Sequence, residues 1–200
     1  MHKFIIIFLI LLPTPNLYPS EIKWSENPSS FINEFTSRGI EDILQSEQKI
    51  DNKTALFRNL INETFDLYSI SKFVLGRNWR AFSENEKNEF LTLFEDIIVF
   101  TWSKRFDEYN GQSLIVENVI PDGENGVIVN SSIVNKEGSK INVQWRLRKR
   151  ASGLRIVDIV VEGVSMAITY RQDFNSVIRR NGGIKGLLKA LENQIKKISS

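Results

Sequence analysis

Lys140-Ile141-Asn142-Val143-Gln144-Trp145-Arg146-Leu147-Arg148 alternates without a break. Ile141, Val143, Trp145 and Leu147 fall on one side of an extended chain, and Asn142, Gln144, Arg146 and Arg148 on the other. A period of two with one greasy and one polar side is the mark of a strand in an antiparallel sheet, buried on one face and wet on the other. The flanking segments repeat the pattern. Leu114–Ile120, Gly126–Val134 and Leu154–Val161 read as three further strands. The intervening Asp122-Gly123-Glu124-Asn125-Gly126, Asn135-Lys136-Glu137-Gly138 and Ala151-Ser152-Gly153 each hold a glycine suited to a hairpin turn.

Outside this meander the period changes to that of a helix. Ser83-Glu84-Asn85-Glu86 has the form of a capping box, in which the serine hydroxyl and the glutamate side chain each satisfy a backbone N–H. The helix it opens is expected to run to about Glu108, with Phe90, Phe94, Ile97, Ile98, Trp102 and Phe106 along one stripe. Leu91, Leu93, Val99 and Phe100 widen that stripe beyond what a surface helix needs, so the helix is covered on more than one side, by protein or by something bound. Upstream, Pro28 to about Ser46 reads as a helix carrying Phe31, Ile32, Phe35, Ile40, Ile43 and Leu44. A second helix, capped by Asp51, carries Leu56, Leu60, Ile61, Phe65 and Leu67, and a short piece from Ser69 to Leu75 ends at Gly76. Downstream, Val164, Ile168, Phe174, Val177 and Ile178 suggest a helix ending near Asn181-Gly182-Gly183, and Ile184 to about Ile198 a last one. Helices, a strand meander and helices again make an α+β architecture.

Composition narrows the function. The 200 residues contain 26 Lys+Arg, 24 Asp+Glu and 42% hydrophobic residues, as in an ordinary globular protein. A net charge of +2 gives no reason to expect nucleic acid. There is no cysteine, and the only histidine is His2. A Cys/His zinc site and a Cys–His nucleophile pair are therefore excluded. No metal or cofactor is expected. Thirteen Phe, four Trp and four Tyr leave the chain rich in material for apolar surfaces. At the N-terminus, Lys3 precedes an apolar run from Phe4 to Leu12, and Pro13, Pro15 and Pro19 follow. This is the plan of a secretory signal peptide, too short to span a bilayer. Residues 1–20 are expected to be a cleaved leader and 21–200 a single domain, exported to a bacterial periplasm.

Two clusters of charge stand out. Arg146, Arg148, Lys149, Arg150 and Arg155 share one hairpin, where they could meet a phosphate or an acidic partner, or form a solvated sheet face. Asp158 lies inside an apolar strand and could act as the base of an isomerase- or hydrolase-like enzyme with Tyr170 as partner, point to solvent, or cap a neighbouring loop. The wide aromatic surface likewise has two readings, a filled core or the lining of a cavity.

Several strings in order carry a family resemblance: Phe73-Val74-Leu75-Gly76-Arg77-Asn78-Trp79, the Ser83-to-Tyr109 helix closing in Tyr109-Asn110-Gly111-Gln112, and Gln144-Trp145-Arg146. Val157-Asp158-Ile159-Val160-Val161-Glu162-Gly163-Val164-Ser165-Met166 is the most telling, followed by Tyr170-Arg171 and Ile178-Arg179-Arg180-Asn181-Gly182-Gly183-Ile184. From Phe73 to about Leu191 the chain resembles the MlaC family, the toluene-tolerance or ABC-transporter auxiliary proteins, which are periplasmic and bind phospholipid. The resemblance implies a curved antiparallel sheet of four or five strands wrapped by N- and C-terminal helices, nuclear-transport-factor-like or cystatin-like in shape, with an internal apolar cavity. It implies a shuttle for phospholipid, both acyl tails inside, between an outer-membrane lipoprotein–porin complex and an inner-membrane ABC transporter with its substrate-binding ring. A branch associated with hopanoid export leaves the lipid class open. Carried over by position, the implied tail contacts are Trp79, Phe94, Ile98, Trp102, Val143, Trp145, Val164 and Met166. The chain departs from the family pattern at Trp102, where a Tyr is common, and at Lys104 and Arg105, where small or apolar residues are common.

Overall fold

The computed structural model describes residues 24–199; the expected leader lies outside them. Five strands form one antiparallel sheet in sequence order: β1 (Ser113–Pro121), β2 (Gly126–Val134), β3 (Lys140–Arg150), β4 (Gly153–Val161) and the short β5 (Val164–Ser165). The alternation of β3 is the alternation of the sheet. Val143 and Trp145 pair with Ser131 and Val129 on one side and with Val161 and Ile159 on the other. Strict alternation along β4 cannot bring both Ile156 and Ile159 to the inner face, because they are an odd number of residues apart. A bulge resolves this: Arg146 pairs with Asp158 but Leu147 with Ile156, so Val157 is an extra residue that resets the phase.

The turn from β1 to β2 depends on a glycine. A Cβ on Gly126 would come 2.4 Å from the carbonyl oxygen of Asp122. Above it Arg148 reaches across to Asp122 at 2.8 Å. Two more arginines of the basic hairpin are similarly occupied: Arg146 faces Asp158 at 3.8 Å and Arg150 bonds Asp66 at 2.7 Å. Three of its arginines are thus paired within the chain and are not held open for a partner.

Among the described residues six α-helices flank the sheet: α1 (Pro28–Arg38), α2 (Ile50–Thr64), α3 (Leu67–Leu75), α4 (Glu84–Ser103), α5 (Met166–Arg180) and α6 (Ile184–Ile198). The capping box at Ser83 is present as expected, with both reciprocal hydrogen bonds. Other boundaries differ from the sequence reading. The first helix stops at Arg38 and continues as a wider π-helical turn, Gly39–Leu44, with Gln45 N–H donating to Ile40 O at 2.8 Å. Lys49, not Asp51, sits at the cap position of α2, and Leu67 belongs to α3 because Asp66 caps a new helix there. The fourth helix ends at Ser103, followed by a 3₁₀ turn over Phe106–Glu108 in which Phe106 sets its ring edge-on to Phe57 at 5.4 Å.

Apolar side chains gather in two cores. One is helical: Val74, Leu75, Phe82, Phe90, Phe94, Phe174 and Leu187 interlock between α3, α4, α5 and α6. The other joins α1 to the inner face of the sheet, where Phe31 and Ile32 press on Val129, Val143, Leu147 and Ile156. Arg58 ties α2 to α4, reaching Glu95 and Asp96 at 2.7 Å each.

Asp66 joins helices to sheet. Its backbone N–H donates to Ile156 O at 3.0 Å, and its carboxylate accepts from Ser69 N–H at 2.9 Å and from Arg150 Nε at 2.7 Å. Burial pushes its pKa up, but the Ser69 N–H and hydroxyl and the Arg150 guanidinium together hold it below the usual carboxylate value. A depressed folded-state pKa stabilises the fold above the unfolded carboxylate pKa, about 3.9, and this contribution is lost as pH falls through the folded value. Asp66→Ala is expected to cost about 1–2 kcal/mol at neutral pH, as loss of a helix cap does. The cost should shrink in acid. Urea unfolding at neutral and acid pH checks it, and an equal cost at both would remove the carboxylate from the account.

Candidate functional site: an apolar cavity between sheet and helices

The two cores do not meet everywhere. Between them lies a cavity of about 500 Å³, within the roughly 300–1,000 Å³ typical of ligand pockets. Val143, Trp145, Val157, Ile159 and Val161 form its sheet wall. Phe35 of α1, Leu60 and Ile61 of α2, Phe94 and Ile98 of α4, and Met166 and Tyr170 of α5 form the helical wall. The π-helical turn adds Ile40, Ile43 and Leu44. An extra residue per turn rotates side chains out of the ordinary helical phase, which is one reason such turns recur at functional sites.

Three local devices keep the walls in place. The indole of Trp145 donates to Ser131 Oγ at 3.0 Å, and that hydroxyl in turn donates to Val143 O at 2.9 Å. The same indole meets Phe35 edge-on at 5.4 Å. On the helical side Phe94 stacks on Phe90 at 5.6 Å and takes Tyr170 edge-on at 5.3 Å. Burial, and then the charge of Asp173, push the Tyr170 phenol above its ordinary pKa, so it presents a neutral surface to the cavity.

The polar lining is concentrated at one end. There β1 and β3 begin and β2 ends, and the chain from α4 into β1 contributes Arg105, Glu108, Tyr109, Gln112 and Ser113. Exposed Trp102 and Ile141 stand beside them on the cavity wall. Across the gap from the π-helical turn, Gln45 Nε2 donates to Tyr109 Oη at 3.5 Å. This end is the mouth.

Asp158 is the charged side chain of the wall that lies away from this segment, and it is committed. It is 8% exposed, accepting from Ser165 Oγ at 2.6 Å and from Ala167 N–H at 3.0 Å. Ser165 Oγ also accepts from Ile168 N–H at 3.1 Å, as the cap of α5. A negative charge beside the first turn of a helix is favourable in its own right. Of the sequence readings of Asp158, this geometry is that of a cap, and what it caps is the start of α5. Asp158→Asn keeps one acceptor and loses the other, and is expected to lower stability by about 1–3 kcal/mol. Thermal unfolding of the variant checks this; an unchanged midpoint would contradict the capping role.

Of the eight positions carried over from the resemblance, Phe94, Ile98, Trp102, Val143, Trp145 and Met166 lie on the cavity wall. Two do not. Trp79 is 6% exposed within the helical core, edge-on to Tyr68 at 5.4 Å with Lys87 Nζ 5.5 Å from its ring. Val164 is 57% exposed in β5, just past the Glu162-Gly163 turn, and Ile159 and Val161 of β4 take the wall positions. The sequence reading gave no wall role to Phe35, Ile40, Ile43, Phe57 or Ile61. They precede Phe73, where the resemblance begins, and their helical periodicity does not distinguish a side chain facing a core from one facing a void.

An antiparallel meander closed over by helices around an apolar-walled hollow, with its open charges at the rim, defines a protein built to hold an apolar ligand. The chain belongs to the MlaC family: the profile described as MlaC protein matches residues 33–193. It is 18% identical over 163 residues to the toluene tolerance protein Ttg2D of Pseudomonas putida, covering 79% of this chain and 76% of that protein. The fold is similar to that of a phospholipid-binding protein from Ralstonia solanacearum solved in complex with a phospholipid. The TM-score is 0.77 at 18% identity, over 84% of this chain and 97% of that one. Among the described residues no helix is long and apolar enough to cross a membrane, and no group of His, Cys, Asp and Glu is arranged to hold a metal ion.

Proposed function

We propose that this chain is a periplasmic phospholipid carrier. In this reading residues 1–20 are a leader removed on export, and residues 21–200 a single lipid-binding domain. The acyl tails occupy the cavity and the headgroup stays at the mouth. The chain moves lipid between an outer-membrane lipoprotein–porin complex and the substrate-binding ring of an inner-membrane ABC transporter. The observation that carries the proposal is the cavity itself, apolar along both walls and polar at one end, in a chain of this family.

The energetics suit the task. Burying a methylene is worth about 0.8 kcal/mol, so two tails with ~30 methylenes would cost on the order of 25 kcal/mol to hold in water. A bilayer already hides them. A carrier therefore needs only to match the bilayer with a dry wall, and transfer proceeds without a reactive group. The experiment is native mass spectrometry of the chain isolated without detergent from a periplasmic extract. Phospholipid bound one to one is expected. An empty chain, or one holding only a hopanoid, would overturn the proposal.

A further inference from the structure

We propose that the mouth selects for a zwitterionic headgroup with a primary ammonium, as in phosphatidylethanolamine, with Arg105 receiving the phosphate and Glu108 the ammonium. This rests on the reading of the chain as a phospholipid carrier and goes beyond it by assigning a headgroup and the two residues that read it.

The argument starts from charges left open. Arg38, Arg58, Arg146, Arg148 and Arg150 are all ion-paired within the chain. Among the described residues Arg105 and Glu108 form no salt bridge, either with each other or with a third group, although only Phe106 and Asp107 separate them. Both line the cavity. The remaining charged group of the lining, Asp158, is already bonded to Ser165 and Ala167. Of the charged side chains that line the cavity, one positive and one negative are therefore left without an ion pair, both at the mouth.

The segment that carries them is held in shape. Glu108 N–H donates to Arg105 O at 3.0 Å, Gln112 Nε2 to Glu108 O at 3.4 Å, and Asn110 N–H to Gln112 Oε1 at 2.7 Å. The Arg105 guanidinium lies 5.7 Å from the centre of the Trp102 ring, which keeps its charge at the lip, against the apolar wall. A guanidinium suits a phosphodiester, to which it can donate two parallel hydrogen bonds. Any phospholipid supplies that phosphate. The carboxylate makes the distinction. It repels the net negative charge of a phosphoglycerol headgroup, it has no N–H to accept from a quaternary ammonium, and it accepts hydrogen bonds from a primary one.

The test uses the whole mature chain, stripped of lipid and incubated with vesicles containing equal amounts of phosphatidylethanolamine, phosphatidylglycerol and phosphatidylcholine with the same acyl chains. Bound lipid is then counted by mass spectrometry. Both side chains are exposed, so the preference for ethanolamine is expected to be about threefold, in line with solvent-exposed ion pairs. Glu108→Gln should bring the three lipids to equal occupancy, and Arg105→Gln should lower all of them. Lipid bound in equal proportions by the wild type, or proportions unmoved by Glu108→Gln, would overturn the headgroup assignment while leaving the carrier intact. A wild type that takes up no lipid would overturn the carrier reading itself. Soluble glycerophosphoethanolamine carries the same two charges without tails and should compete only weakly; loading abolished by it would show that the tails do not supply the binding energy, which overturns the carrier reading.

Discussion

Ile98→Glu is expected to empty the protein of phospholipid without unfolding it. Ile98 is half-buried in α4 and faces the cavity. A carboxylate there can stay hydrated while the cavity holds water, so the fold survives. Once acyl tails enter, the same group loses its water and gains no partner. Stranding even a neutral polar group in an apolar site costs about 2 kcal/mol or more, which is a fall in lipid occupancy of at least about 30-fold. A graded series makes the effect specific: Ile98→Val should be nearly silent, Ile98→Gln intermediate and Ile98→Glu severe. Circular dichroism reports the fold, and bound lipid is counted by mass spectrometry. A folded Ile98→Glu protein with a normal lipid content would show that the tails lie elsewhere.

The largest loss of stability is expected from Phe94→Ala. Phe94 is 1% exposed and belongs at once to the helical core and to the cavity wall. Its ring contacts Phe90, Tyr170 and Phe174, each within 5.7 Å. Removing a buried phenylalanine costs about 3–5 kcal/mol, against a total of about 5–15 for a typical domain. For a chain of this length the unfolding midpoint should fall by roughly 10 °C or more. Phe106→Ala is the contrast, since that ring is only half-buried and meets Phe57 alone among aromatic partners. It should cost well under half as much. A Phe94→Ala midpoint within about 2 °C of wild type would mean that the neighbouring rings close the gap.

Cavity and core could not be separated in the sequence because both demand the same residues at the same spacing. Phe90 and Phe94 share one stripe of α4, yet Phe90 is enclosed by other rings while Phe94 also borders the hollow. Trp79 and Val164 show the same limit in reverse. Each sits in a motif string of the family, but a string gives position along the chain and not the direction of a side chain in space. Only Glu162 and Gly163 separate Val164 from the end of β4, and the turn they make carries it outside. Nor did the periodicity of the first helix reveal the π-helical turn, because Phe35, Ile40 and Ile43 fit an ordinary helical stripe closely enough.

Local patterns were decided within the sequence: the meander through the alternation of Lys140–Arg148 and its glycine turns, the start of α4 through Ser83 and Glu86, and the absence of cysteine and of any histidine beyond His2. These depend on neighbours a few residues apart, and a chain carries that information along its length. Tertiary structure alone decided that the two apolar cores stand apart, that Asp158 is held as a cap, that three arginines of the hairpin find carboxylates at Asp66, Asp122 and Asp158, and that Arg105 and Glu108 form no ion pair at the mouth. Each of those outcomes depends on which distant side chains approach one another, and a void is defined by the atoms that fail to meet.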